Sequence, residues 1–383
     1  MSAAVRLPGR DEPVVLRAPG WADGYPPPVS RRVYAAAHVA ACPGPDGEVV
    51  DWESTMRFRD YLWAHGFGVA EAMDTAQRGM GLAWEQAKEL IARSAARAGA
   101  AGAGAALACG VGTDQLGDGE RWPIARIIDA YAEQMAFVQD CGADVIVMAS
   151  RALAASARGP RDYLEVYGEL LGQAERPVIL HWLGEAFDPA LRGYWGGAEF
   201  EAAAGTVLEV IERGGGKVDG VKLSVLDAGR EVALRRRLPE GVRLYTGDDF
   251  NYYELIRGDA GGHSDALLGA FAAITAPAAA ALAALDRGDV AGYDAAMGPT
   301  VPLSRAIFEP PTYHYKVGVA FLAWLNGLQP AFAMLGGLQR RRPARHLIRV
   351  FELAVAARAL TDPELAAERM NELLARVAGP EHV

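Results

Sequence analysis

Val218-Asp219-Gly220-Val221-Lys222-Leu223-Ser224 is a short, mostly apolar run that reads as a buried strand with a lysine inside it. Similar runs recur near residues 33–40, 68–73, 105–110, 145–149, 178–182, 243–246 and 266–270. Helical patterns lie between them, at 52–65, 84–98, 123–141, 161–173, 198–213, 231–238 and 252–258. Strand–helix alternation predicts a parallel sheet, and eight units predict closure into a (β/α)8 TIM barrel, an α/β fold. A doubly wound open sheet is the alternative, but no Gly-x-Gly-x-x-Gly motif follows the first strand. Residues 1–30 read as an N-terminal leader, 31–277 as the barrel and 278–383 as C-terminal helices packed on it.

Lys222 stands out by composition. The chain has four lysines, Lys88, Lys217, Lys222 and Lys316, among 38 basic residues; the remainder are arginine. Where charge alone is needed this chain uses Arg, which stays protonated. A desolvated lysine can lose its proton and form a Schiff base with a carbonyl. The bland alternative is a structural lysine whose amine pairs with Asp248 or another neighbour.

The 383 residues carry a net charge of −10 with 22% charged residues, the balance of an acidic soluble protein. No basic face points to nucleic acid, and the Ala-rich stretch 266–285, broken by Pro277, does not read as a membrane span. Three scattered cysteines, Cys42, Cys109 and Cys141, form no CxxC pair, and the first residues hold no signal-like apolar core; a reducing cytoplasm is expected.

In such barrels the chemistry sits at the C-terminal strand ends. Here those ends offer Asp74 and Thr75 after the second strand and Arg151 after the fourth. The fifth offers His181, the sixth Lys222 and Ser224, and the seventh Asp248 and Asp249. His181 suits acid/base work, with Asp74 second. Arg151 could clamp an anion. Of the two adjacent aspartates, Asp249 reads as the cap of the next helix and Asp248 as the one free to face a pocket. Glu71, Asp74, His181 and His263 would be the ligands of a metal-dependent isomerase or hydrolase, although no HxH or HExxH pair supports that reading. The segment 187–197 reads as a loop long enough to cover a site.

Gly220-Val221-Lys222 followed by Tyr245-Thr246-Gly247-Asp248-Asp249 resembles the sixth and seventh strands of the dihydrodipicolinate synthase / N-acetylneuraminate lyase superfamily of class I aldolases. Arg176-Pro177-Val178-Ile179-Leu180-His181 resembles its fifth strand, and Ala143-Asp144-Val145-Ile146-Val147 its fourth. The similarity spans roughly residues 33–332. It implies the barrel, Lys222 as the Schiff-base lysine, no cofactor, a small-molecule carbonyl substrate and a homo-oligomer, dimer or tetramer. The departures are as informative. The family's Gly-Thr-Thr-Gly-Glu after strand two is replaced by Met73-Asp74-Thr75-Ala76-Gln77-Arg78, where Asp74 would repel a carboxylate. The tyrosine that relays protons after strand four is replaced by Ser150-Arg151-Ala152-Leu153. The expected function is therefore a class I aldolase-type lyase or imine-forming dehydratase, with Lys222, His181 and Asp74 catalytic and Thr75, Arg151, Ser224 and Asp248 binding substrate. The substrate would be a small oxo compound, sugar-derived ones included. A catalytically inactive barrel serving in binding or assembly is the remaining alternative.

Overall fold

The structure is a computed structural model that describes residues 3–102, 104–117 and 119–377. Residues 1–2 and 378–383, the outer ends of the expected leader and C-terminal region, lie outside it.

Eight parallel strands close into a barrel: β1 (Val33–Ala36), β2 (Gly68–Glu71), β3 (Leu107–Val111), β4 (Asp144–Val147), β5 (Val178–Leu183), β6 (Val218–Ser224), β7 (Arg243–Thr246) and β8 (Asp265–Leu268). Neighbours in the ring are neighbours in sequence, and β8 pairs with β1. The strands are near-continuous apolar runs because both faces are covered, which is why the expected positions hold to within a few residues.

By compactness the chain forms two units. One comprises Arg31–Ala37 and Gly68–Leu268 and holds all eight strands with the helices between β2 and β8. Its interior is built from side chains of alternate strand positions, including Tyr34, Ala36, Ala70, Ala108, Ile146, Ile179, Tyr245 and Leu267. Small residues on β2 and β3 make room for the tyrosines: a Cβ on Gly68 would lie 2.6 Å from the Tyr34 ring. The two rings meet edge to face, centroids 6.2 Å apart, and the Tyr245 hydroxyl donates to Asp219 at 2.5 Å.

The other unit takes the rest of the described chain, including the helix after β1 (Trp52–Ala64) and six helices from Thr275 to Val377. It contains an unforeseen hairpin, Ala41–Gly44 with Gly47–Val50, whose Pro45-Asp46-Gly47 turn was its sequence signal. Within the N-terminal leader, Val14–Val15 pairs antiparallel with Ala4–Val5. Helix Lys316–Leu325 is buried all round, so its apolar sequence is that of a core helix. No described helix is long and apolar enough to cross a membrane.

Arg78 locks the loops after β2 and β3. Its side chain is 3% exposed; Nε pairs with Asp114, Nη1 donates to the carbonyls of Ala72 and Gly110 at 3.1 and 2.8 Å, and Nη2 to Gln134 at 2.5 Å. Gln134 also accepts from the Gly112 amide at 2.6 Å. Replacing Arg78 by Met leaves these buried acceptors unmatched. It should cost about 3 kcal/mol or more in urea unfolding; a loss below about 1 kcal/mol would show that the loops hold without it.

Candidate active site

Register sets the direction of Lys222. It pairs with His181 on β5 and Tyr245 on β7, and Tyr245 belongs to the barrel interior, so Lys222 and His181 face inward as well. Its stem runs beside Gly247, where an added Cβ would stand 3.1 Å from Lys222 Cε and 2.1 Å from Ser224 Oγ. The same Cβ would stand 2.9 Å from the Leu223 carbonyl oxygen, so glycine at 247 is required by that backbone as well as by the serine and lysine side chains.

Lys222 is 5% exposed, and its amine makes no hydrogen bond or ion pair to a described residue. Burial lowers its pKa from the ordinary 10.5, while the charges of Asp74 and then Asp249 pull the other way. His181 is 1% exposed; Nε2 lies 3.4 Å from Ser224 Oγ and Nδ1 has no hydrogen-bond partner among the described residues. Burial, followed by the positive charge of Lys222, pushes His181 well below 6.5, with Asp74 opposing. The pair is therefore a partly desolvated amine beside a neutral imidazole.

Asp74 and buried Thr75 lie in a single 3-10 turn after β2, reached through Ala72 in the left-handed region at φ 52°. The two aspartates after β7 differ from the expectation. Asp248 forms the turn: Oδ1 accepts from the amides of Phe250 and Asn251 at 2.9 and 3.0 Å, and Oδ2 from Asn251 Nδ2 at 2.8 Å. Asp249, 3% exposed, supplies the charge felt by Lys222. An aspartate followed by two amide donors is an Asx turn, a signal that fitted either residue equally well.

Arg151 begins the short helix Arg151–Ser156, which Ser150 caps through the Leu153 amide. Its Nε donates to Asp188 at 2.6 Å, so the expected anion clamp is engaged by a carboxylate of the β5 loop. That loop is pinned by Tyr194, whose hydroxyl accepts from the Ser150 amide at 3.1 Å and meets Tyr167 at 3.0 Å. Trp195 follows it, fully buried in the left-handed region at φ 72°. Two aromatic residues between Gly193 and the Gly196-Gly197 pair were the sequence signal for this anchor.

A further buried acid lies on the helix-facing side of β7 and β8. Glu231 accepts from Thr246 Oγ1 at 2.9 Å and Ser264 Oγ at 2.7 Å, and burial pushes it up to about 8. Thr246 Oγ1 in turn accepts from the Asp248 amide at 3.2 Å. The sequence marks Glu231 only as the first residue of a helical pattern, with no local signal of its burial.

The four residues considered for a metal do not gather. Glu71 accepts from Ser94 Oγ at 2.6 Å and from the Ala72 amide at 2.9 Å, and His263 precedes β8, at the opposite end of the barrel. Among the described residues no three His, Cys, Asp or Glu side chains come together as a metal site.

A family model described as a protein of unknown function, DUF993, matches residues 9–379. The chain belongs to the DUF993 family. No curated protein sequence matches it. Its fold is similar to solved dihydrodipicolinate synthase structures. One is YagE, a prophage protein of that family from E. coli K12, in complex with pyruvate: TM-score 0.65, 14% identity, over 91% of this chain and 99% of that one. A second is the chloride-inhibited, pyruvate-complexed enzyme from Acinetobacter baumannii: 0.64, 16% identity, over 86% and 99%. A third is the enzyme from Oceanobacillus iheyensis: 0.63, 14% identity, over 85% and 95%. The barrel expected from the strand-six and strand-seven motifs is the one found.

The state of His181 gives a pH test. Its folded pKa lies far below 6.5, so below about pH 6.5 the unfolded chain takes up a proton that the native site refuses, and stability falls with pH. His181→Asn removes this contribution. The stability difference between wild type and variant should shift by about 2 kcal/mol in the variant's favour between about pH 7.5 and about pH 5. An unchanged difference in urea unfolding would mean that His181 titrates normally.

Proposed function

We propose that the protein is a class I aldolase-type lyase, or an imine-forming dehydratase, acting on a small oxo compound through a Schiff base on Lys222. The observation that carries this reading is the buried, inward-facing amine, lowered in pKa and bonded to no described residue. A structural lysine in such a place would hold a partner, and Asp248, the counter-ion considered for it, is engaged in its own turn.

In the proposed sequence neutral Nζ adds to the substrate carbonyl carbon, and the carbonyl oxygen takes up two protons and leaves as water. The resulting iminium draws the electrons of the neighbouring bond. In the lyase, a base takes the proton of the β-hydroxyl and the Cα–Cβ bond breaks. Its electron pair forms the enamine, and the Cβ fragment leaves as a carbonyl compound. Protonation of the enamine and hydrolysis of the imine restore Lys222. His181 is the acid/base in this reading, with Asp74 second. The charge of protonated Lys222 helps keep His181 neutral, so deprotonation of the lysine makes the imidazole a better acceptor. Thr75 and Ser224 would hold substrate hydroxyls, and Asp249 joins Asp74 in stabilising the iminium. Arg151 and Asp248 act indirectly, by ordering the β5 loop and the β7 turn.

The proposed substrate is a neutral, hydroxyl-bearing oxo compound such as a sugar derivative. Two observations support that choice over a keto acid. Arg78 and Arg151 already bond to Asp114 and Asp188, and the lysine works beside two carboxylates.

Borohydride should trap a neutral ketose or aldose derivative covalently on the peptide containing Lys222. Lys222→Arg and Lys222→Met should both fold and lose turnover by several orders of magnitude, because neither can form the imine. Lys316→Arg serves as the control and should cost little. An active Lys222→Arg enzyme would end the Schiff-base reading. Preferential trapping of pyruvate would leave the imine standing and remove the neutral-substrate assignment.

A further inference from the structure

The unit that includes the C-terminal helices holds a cavity of about 390 Å³ with no part in the chemistry above. Small-molecule sites commonly span roughly 300–1,000 Å³, so this one fits a compact ligand. Its walls come from the hairpin Ala41–Gly44/Gly47–Val50, the segment 330–333, Gln339 and the helix Pro363–Val377.

The lining is chemically uneven. One wall is flat and apolar: Trp324 and Phe332 stack with centroids 5.8 Å apart and planes 23° from parallel. A carboxylate comes from Glu48. Its Oε1 accepts from Gln339 Nε2 at 3.2 Å and Arg340 Nη1 at 3.4 Å, the Glu48 amide also bonds the carboxylate, and no other described side chain bonds Oε2. The Gln339 amide is the main reason the Glu48 carboxyl sits below its ordinary range, so it is ionised at neutral pH. Arg376, the cation in the lining, is already on Glu372 at 3.6 Å.

We infer that this cavity binds a small amine with a flat apolar body, its ammonium on Glu48 Oε2 and its body against Trp324 and Phe332. Other charge types fit worse. An anion would face Glu48 and would have to take Arg376 from Glu372. A neutral flat molecule would cover the Glu48 carboxylate without bonding it, which carries a desolvation penalty. An ammonium replaces the lost water with a charge-assisted hydrogen bond.

Calorimetric titration of the full chain with three probes of one shape tests the assignment: phenethylamine, 2-phenylethanol and 3-phenylpropionate. Phenethylamine should bind saturably at one site, and the alcohol and the acid at least about tenfold more weakly. Glu48→Gln, on a surface hairpin, should keep the fold and weaken phenethylamine by about tenfold or more. Ala331→Trp should fill the cavity and abolish binding. No saturable binding of phenethylamine at millimolar concentration would overturn the inference. Equal binding of the acid, or unchanged affinity in Glu48→Gln, would do the same.

Discussion

A lysine buried along its stem inside a closed parallel barrel, its amine bonded to no described residue, is the constraint on which the rest of the site turns. Burying a charge without a bonded partner is among the most costly things a fold can do, and the group responds by losing its charge. Lys222 shows that response in part: burial lowers its pKa, and Asp74 and Asp249 hold it back from neutrality. Burial favours the neutral amine and the two carboxylates favour the cation, the two charge states through which the proposed Schiff-base cycle passes. His181 sits on the same balance, because Lys222 is the second cause of its depressed pKa.

That arrangement follows from the sheet. The β5–β6–β7 register puts His181, Lys222 and Tyr245 side by side, and inward parity on β6 adds Ser224. Tyr245 fills the interior below the lysine, while the next inward residue of β7 is Gly247, where no Cβ fits. The floor is therefore packed and the space above it is left for the lysine stem. Behind the sheet, Glu231 bonds Thr246 and Ser264 at the adjoining edges of β7 and β8, and Thr246 holds the amide of Asp248. The turn that presents Asp249 is thus fixed from the helix side as well as by Asp248 itself.

The barrel was legible because parallel strands covered on both faces are short apolar runs, and eight of them alternate with helical periodicity. The hairpin at Ala41–Val50 was not, since its strands alternate weakly and are half exposed. Lys222 was legible through its rarity and its place in a strand. The residues around it were harder to rank. Asp248 and Asp249 are adjacent acids in a turn, and local sequence does not say which carboxylate meets the following amides. Arg151 at a strand end looked available, but its partner Asp188 lies on another loop, beyond the reach of any local pattern. Arg78 and Gln134 were passed over for the same reason: their bonds connect different loops, and only the closed ring brings those acceptors together.

Arg78 and Lys222 are both buried cations of the barrel unit, and their difference argues for chemistry at the second. Arg78 spreads its donors over a carboxylate, two carbonyls and an amide oxygen, which is how a structural cation is made tolerable in a protein interior. The chain uses arginine for that purpose and, with few exceptions, for every other basic role. At position 222 it uses lysine, gives the amine no bonded partner among the described residues, and surrounds it with a neutral imidazole, a serine hydroxyl and the field of two carboxylates. A guanidinium at that position could not lose its proton and so could not attack a carbonyl. The features that make Lys222 a poor structural residue, burial without bonds and a weakened hold on its proton, are those that a carbonyl-attacking amine needs.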